Sequence, residues 1–81
     1  MMEQEILTIL QEINPYIDIN EESLLLKEEI IDSTGILVLI TELEQKYKIE
    51  ISFEKLQLEN FQTVVSVAKM VRSLMREKND N

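Results

Sequence analysis

The 81-residue chain contains neither cysteine nor histidine. Without thiols there are no disulfides, no thiolate metal sites and no thiol nucleophile, and the redox compartment stays open. Without imidazole, the commonest general base and the usual transition-metal ligand are missing. Tryptophan is absent, and two Tyr and two Phe supply all the aromatic surface. One Gly and one Pro leave few places where regular structure must stop. No apolar run is long enough to span a bilayer, so no membrane insertion is expected. The opening Met-Met-Glu-Gln-Glu lacks the basic flank of a signal peptide, which makes the cytoplasm the expected location. There is no Gly-rich phosphate loop, zinc spacing or calcium loop.

What is present is a foldable composition, 44% hydrophobic and 30% charged, in a length that suits one domain with little area for a deep cleft. The net charge of −8 is unevenly spread. Residues 1–31 carry eight acids against Lys27 alone, whereas the remainder is close to balance. Such a field disfavours nucleic acid and favours a basic protein partner through salt-sensitive steering.

Hydrophobic periodicity places helix one from near Met2 to about Ile13, with Ile6, Leu7, Leu10 and Ile13 as its stripe and Glu3, Glu5, Gln11 and Glu12 in water. Asn14-Pro15 ends it, because the residue before proline is pushed out of the α region. Tyr16 to Ile31 is a long connection with too many apolar residues for a free linker, and a helical turn is expected from Asn20. Helix two runs from Ser33 to Tyr47, burying Ile36, Leu39, Ile40, Leu43 and Tyr47. Lys48 to Phe53 alternates like a strand but has no partner, so an extended segment tucked onto the core is expected. A short third helix over about Phe53–Leu58, capped by Ser52, follows. Helix four begins near Asn60–Thr63 and continues to about Arg76, with Val64, Val67, Ala68, Val71 and Leu74 inside and residues 77–81 frayed. The expected fold is an all-α four-helix bundle: three longer helices, a short third helix, and a long loop between helices one and two.

The chain is organised around Ile30-Ile31-Asp32-Ser33-Thr34-Gly35 and the helix this stretch opens. Either Asp32 or Ser33 could cap the first turn, since both offer an oxygen to unpaired N–H groups there. Gly35 costs about 1 kcal/mol against alanine inside a helix, and the missing side chain would leave room beside Ser33. Catalysis is not expected. A nucleophilic serine needs a base, and the acids fall on exposed faces and a loop rather than across a cleft.

Ile31-Asp32-Ser33-Thr34-Gly35, Leu37, Leu39, Leu43-Glu44, Tyr47, Asn60-Phe61 and Thr63-Val64 together resemble the acyl carrier protein family, over about Glu3 to Leu74. The resemblance implies the acyl-carrier type of bundle, with 4′-phosphopantetheine attached to Ser33 and an acyl or aminoacyl group carried on it as a thioester. It implies a phosphopantetheinyl transferase, a loading ligase and downstream transferases or synthases as partners of a monomer, and a non-catalytic role in fatty-acid or secondary-metabolite biosynthesis. Asp32, Thr34, Gly35, Val38 and Glu44 are its docking candidates. Many relatives have glycine where Glu29 stands, so the turn before Ser33 is made either without a positive φ or with Glu29 strained.

Positions matching Gly35 and Val38 are usually acidic in the fatty-acid carriers. A valine almost opposite the buried stripe, beside Thr34, Thr41, Glu42 and Gln45, suggests a more apolar docking face and a dedicated pathway. Asp-Ser-Thr-Gly is also similar to the motif of D-alanyl carrier proteins, which serve cell-envelope polymers. From another class, the alternative is an unmodified acidic adaptor of the same fold.

Overall fold

The computed structural model describes residues 1–52, 54 and 56–79. Among the described residues three α-helices form, α1 (Met2–Ile13), α2 (Ser33–Tyr47) and α3 (Val64–Asn79), with a 3-10 turn at Leu58–Phe61 before the last. A long loop joins α1 to α2, and no strand occurs among the described residues. The short third helix expected over Phe53–Leu58 includes Phe53 and Lys55, which lie outside the described residues. The last helix continues to Asn79, beyond the expected end at Arg76.

α1 packs against both α2 and α3, so it buries a broader face than four periodic positions provide. Ile6, Leu7, Ile9 and Leu10 are buried, while Ile13 is half-buried. From α2, Gly35, Leu39, Ile40 and Leu43 go inside, and Ile36 and Tyr47 only partly. From α3, Val64, Val67, Ala68 and Val71 are joined inside by Met70, and Leu74 stays half-buried. Ile49 and Ile51 are buried on the segment after α2, as their alternation predicts. The Ile51 N–H donates to Glu44 Oε2 at 3.0 Å, which pins that segment to the helix it leaves.

Charged side chains tie the helices together at the surface. Arg72 donates to both carboxylate oxygens of Glu3, at 2.7 and 2.8 Å. Glu3 is thus half-buried and paired, contrary to the expectation that it is simply solvated. The period assigned it to the wet face of α1 but could not see that α3 brings a cation there. Tyr47 donates to Glu5, and burial together with this bond raises the pKa of its phenol. Lys78 reaches the Lys48 carbonyl, which places a cation at the negative end of α2.

The loop is held by Ile19, Leu25, Ile30 and Ile31, all buried, whereas Tyr16 and Ile17 are exposed. Asn20 does start a turn: its Oδ1 accepts from the Glu22 N–H and its own N–H donates to Ser23 Oγ. One α-turn follows, Glu28 N–H to Leu24 carbonyl, and it closes with Glu29 N–H to Leu26 and Ile30 N–H to Leu25. These last two bonds form a Schellman closure, with buried Leu25 and Ile30 at the positions that usually make its apolar contact. The left-handed residue such a closure requires is Glu29, at φ 57°. Of the two alternatives for the turn, the strained one is realised. Further anchors are Leu25 N–H to the Gln62 carbonyl (2.8 Å) and Asn14 Nδ2 to the Ile30 carbonyl (2.8 Å).

Two expectations follow. Glu29 is exposed, and left-handed backbone costs a side-chain-bearing residue about 1–2 kcal/mol, partly offset by the entropy a glycine adds to the unfolded chain. Glu29→Gly should therefore raise the urea midpoint, by about 0.5–1 kcal/mol of stability; an unchanged or lowered midpoint contradicts the strain. The Arg72 hydrogen bonds lower the pKa of Glu3. A depressed carboxyl stabilises the fold above its unfolded pKa, and this contribution is lost as pH falls through the folded value. Glu3→Gln should lower the melting temperature at neutral pH, and the deficit should close below the carboxylate range; a deficit independent of pH contradicts this.

Candidate functional site

The site is built where the loop meets α2. Ile30 and Ile31 are buried immediately before it, and Asn14 fastens the Ile30 carbonyl to the end of α1. The chain then turns outward at Asp32, whose backbone is extended (φ −110°, ψ −169°). Asp32 is the cap: its Oδ1 accepts the Gly35 N–H at 2.9 Å, and its carbonyl accepts the first helical bond, from Ile36. Ser33 is therefore the first helical residue and not the cap. It is exposed, and its hydroxyl makes no hydrogen bond among the described residues.

Gly35 has a different reason for being glycine than an empty space beside Ser33. It is buried, and a Cβ there would lie 3.1 Å from Ile31 Cβ and 3.5 Å from Ile13 Cγ2. Those side chains fill the volume, so the small residue lets the start of α2 close onto the Ile31 approach.

Two concavities flank the start of α2. On the Ser33 side is an open cleft of about 520 Å³ whose walls include Leu26, Ile31, Ile36 and Leu58, with Glu29, Asp32 and Ser33 at its edge. Leu58 is 70% exposed and adds apolar surface to the cleft. On the other side is a groove of about 530 Å³ between α1 and α2, lined by Ile9, Ile13, Gly35 and Val38 with Glu12, Asp32, Thr34 and Glu42.

The structure thus brings four of the five docking candidates, Asp32, Thr34, Gly35 and Val38, to one groove. Val38 is 43% exposed, as its position opposite the stripe predicts, and Leu37 beside it is 62% exposed. Glu44 is apart from them. It lies eleven residues along α2 from Ser33, about 16 Å at 1.5 Å per residue, and one of its oxygens already holds the Ile51 N–H. Leu37 and Leu58 went unmarked as surface in the sequence. Leu37 was legible, since it lies off the i, i+3, i+4 series; Leu58 was not, because a 3-10 turn has no apolar period to read.

No cluster of side chains suited to a metal ion occurs among the described residues. No helix is long and apolar enough to cross a membrane among the described residues. Compared with known proteins, the chain matches no family model and no curated protein sequence.

The two neighbouring residues should separate cleanly in a melt. Asp32→Ala removes the cap and should cost about 1 kcal/mol, within a range of about 0.5–2. Ser33→Ala removes an exposed hydroxyl with no partner among the described residues and should stay within about 0.5 kcal/mol of the parent. Equal losses in both variants contradict the assignment of the cap.

Proposed function

We propose that this protein is a carrier in which Ser33 is the attachment point for a 4′-phosphopantetheine arm. The observation that carries the reading is the exposed Ser33 hydroxyl on the first residue of α2, without a hydrogen-bond partner among the described residues because Asp32 does the capping. Three longer helices, a 3-10 turn before the last and a long anchored loop among the described residues support an acyl-carrier type of bundle.

These residues fit the group. A phosphodiester on Ser33 would put its negative charge at the positive end of a fifteen-residue helix, a placement worth about 0.3–1 kcal/mol. The open cleft with Leu26, Ile31 and Ile36 in its walls offers apolar surface next to the attachment oxygen. Ser33 lacks a base of its own, so a separate transferase supplies the base and coenzyme A. The serine oxygen bonds to phosphorus, adenosine bisphosphate leaves, and the hydroxyl proton passes to the transferase. Once attached, the group supplies the thiol that the sequence lacks, able to hold an acyl or aminoacyl cargo as a thioester. The protein's own part is placement: Asp32 fixes the helix start, and the Ile31–Gly35 packing fixes the direction of approach.

The exposed Leu37 and Val38 favour a carrier serving a dedicated pathway, and the Asp32-Ser33-Thr34-Gly35 motif keeps D-alanyl carriers as the near alternative.

Incubation with coenzyme A and a promiscuous phosphopantetheinyl transferase, followed by intact mass measurement, tests the proposal. A single added arm that is absent in Ser33→Ala is expected. An unmodified parent chain overturns the carrier reading and leaves an adaptor that binds through its acidic half.

A further inference from the structure

Glu29 stands where the backbone favours a different residue. Its φ of 57° is the left-handed conformation that glycine enters most cheaply, so the carboxylate contributes nothing to the turn itself. Nor does it serve the rest of the fold. The side chain is exposed and makes no hydrogen bond or ion pair among the described residues. The acids nearest it in sequence are both occupied: Glu28 Oε2 accepts the Leu24 N–H at 2.9 Å, and Asp32 Oδ1 accepts the Gly35 N–H at 2.9 Å. Yet Glu29 forms part of the edge of the cleft beside Ser33, whose apolar walls include Leu26, Ile36 and Leu58 and whose lining contains no Lys or Arg.

We infer that Glu29 is a positioning residue for the arm on Ser33, an inference that rests on the carrier reading. Its carboxylate accepts a hydrogen bond from the arm's secondary hydroxyl or from the amide N–H that follows it, while Leu26, Ile36 and Leu58 cover the arm's pair of methyls. The order of groups along the arm matches the cleft. Outward from the phosphate come two methyls on one carbon, then the hydroxyl, then the amide, so an apolar knob and two donors lie side by side close to the attachment oxygen. Glu29 repels the phosphate, as like charges do, and so serves only the neutral stretch beyond it. Being ionised, it is a stronger acceptor for those donors than an amide oxygen. Seated in this way, the arm leaves Ser33 in one preferred direction rather than sweeping freely.

The test loads the full isotope-labelled chain from coenzyme A with the promiscuous transferase, confirms the arm by mass, and records nuclear Overhauser contacts from the arm's methyls to the chain. Contacts to the Leu26, Ile36 and Leu58 methyls are expected in the loaded parent. Glu29→Ala keeps a side chain on the left-handed backbone but removes the acceptor, and should weaken these contacts about two- to tenfold, the worth of one hydrogen bond. Glu29→Gln keeps an acceptor oxygen and should restore part of them. Glu22→Gln removes a loop acid that does not line the cleft and should leave them unchanged. No contacts in the loaded parent, full contacts in Glu29→Ala, equal losses in Glu29→Ala and Glu29→Gln, or a matching loss in Glu22→Gln overturns the role of Glu29. Each of these leaves the carrier reading standing, because the mass has already shown the arm. A parent chain that takes no arm overturns both.

Discussion

The hydrogen bond from the Gly35 N–H to Asp32 Oδ1 is the constraint on which the candidate site depends. It fixes the residue at which helical geometry begins, and so decides that Ser33 is inside the first turn with its hydroxyl outward. The bond is possible because Ile31 is buried directly before it and Gly35 lets the helix close onto Ile31 at a distance a side chain would crowd. Asn14 completes the arrangement by tying the same approach to the end of α1. Two buried isoleucines, one carboxylate and the chain's single glycine thereby set the exposure of one oxygen.

That single glycine explains a second feature. Among the described residues, Glu29 and Lys48 adopt left-handed backbone, and neither is glycine. Each follows a helical turn whose last carbonyls need N–H donors from a reversed chain, and each turn is closed by such donors. Where the chain must fold back sharply, it accepts strain at exposed charged residues and keeps glycine for a close approach in the core. The uneven charge has a similar logic. α1 and the start of α2 carry acids without cations, while α3 supplies the bases, and the Glu3–Arg72 pair joins the two regions.

Periodicity was enough to find α1 and α2 with their bounds, because each has one apolar face that stops clearly: at Asn14-Pro15 for the first, and at Tyr47, the last residue of the stripe, for the second. It missed Ile9 and Met70 because helices packed on more than one side bury a wider face than a single stripe. It could not choose between Asp32 and Ser33, since both residue types cap well and only backbone geometry separates them. Sequence pattern puts Glu3 in water and Glu44 among the docking candidates. Their partners, Arg72 and the Ile51 N–H, come from another helix and from the turn past the helix end, where local pattern carries no information. The strained state of Glu29 was open for a related reason: the pull comes from Leu25 and Ile30 being buried on either side of it.

Hydrogen exchange at the Gly35 amide tests most directly the claim that Asp32, and not its neighbour, holds the start of α2. Gly35 is the only glycine, so its amide can be followed without ambiguity. Exchange there should be slow in the parent chain, fast in Asp32→Ala and unchanged in Ser33→Ala. Acceleration in Ser33→Ala with none in Asp32→Ala would contradict the claim, and would return the serine hydroxyl to the helix as a structural group.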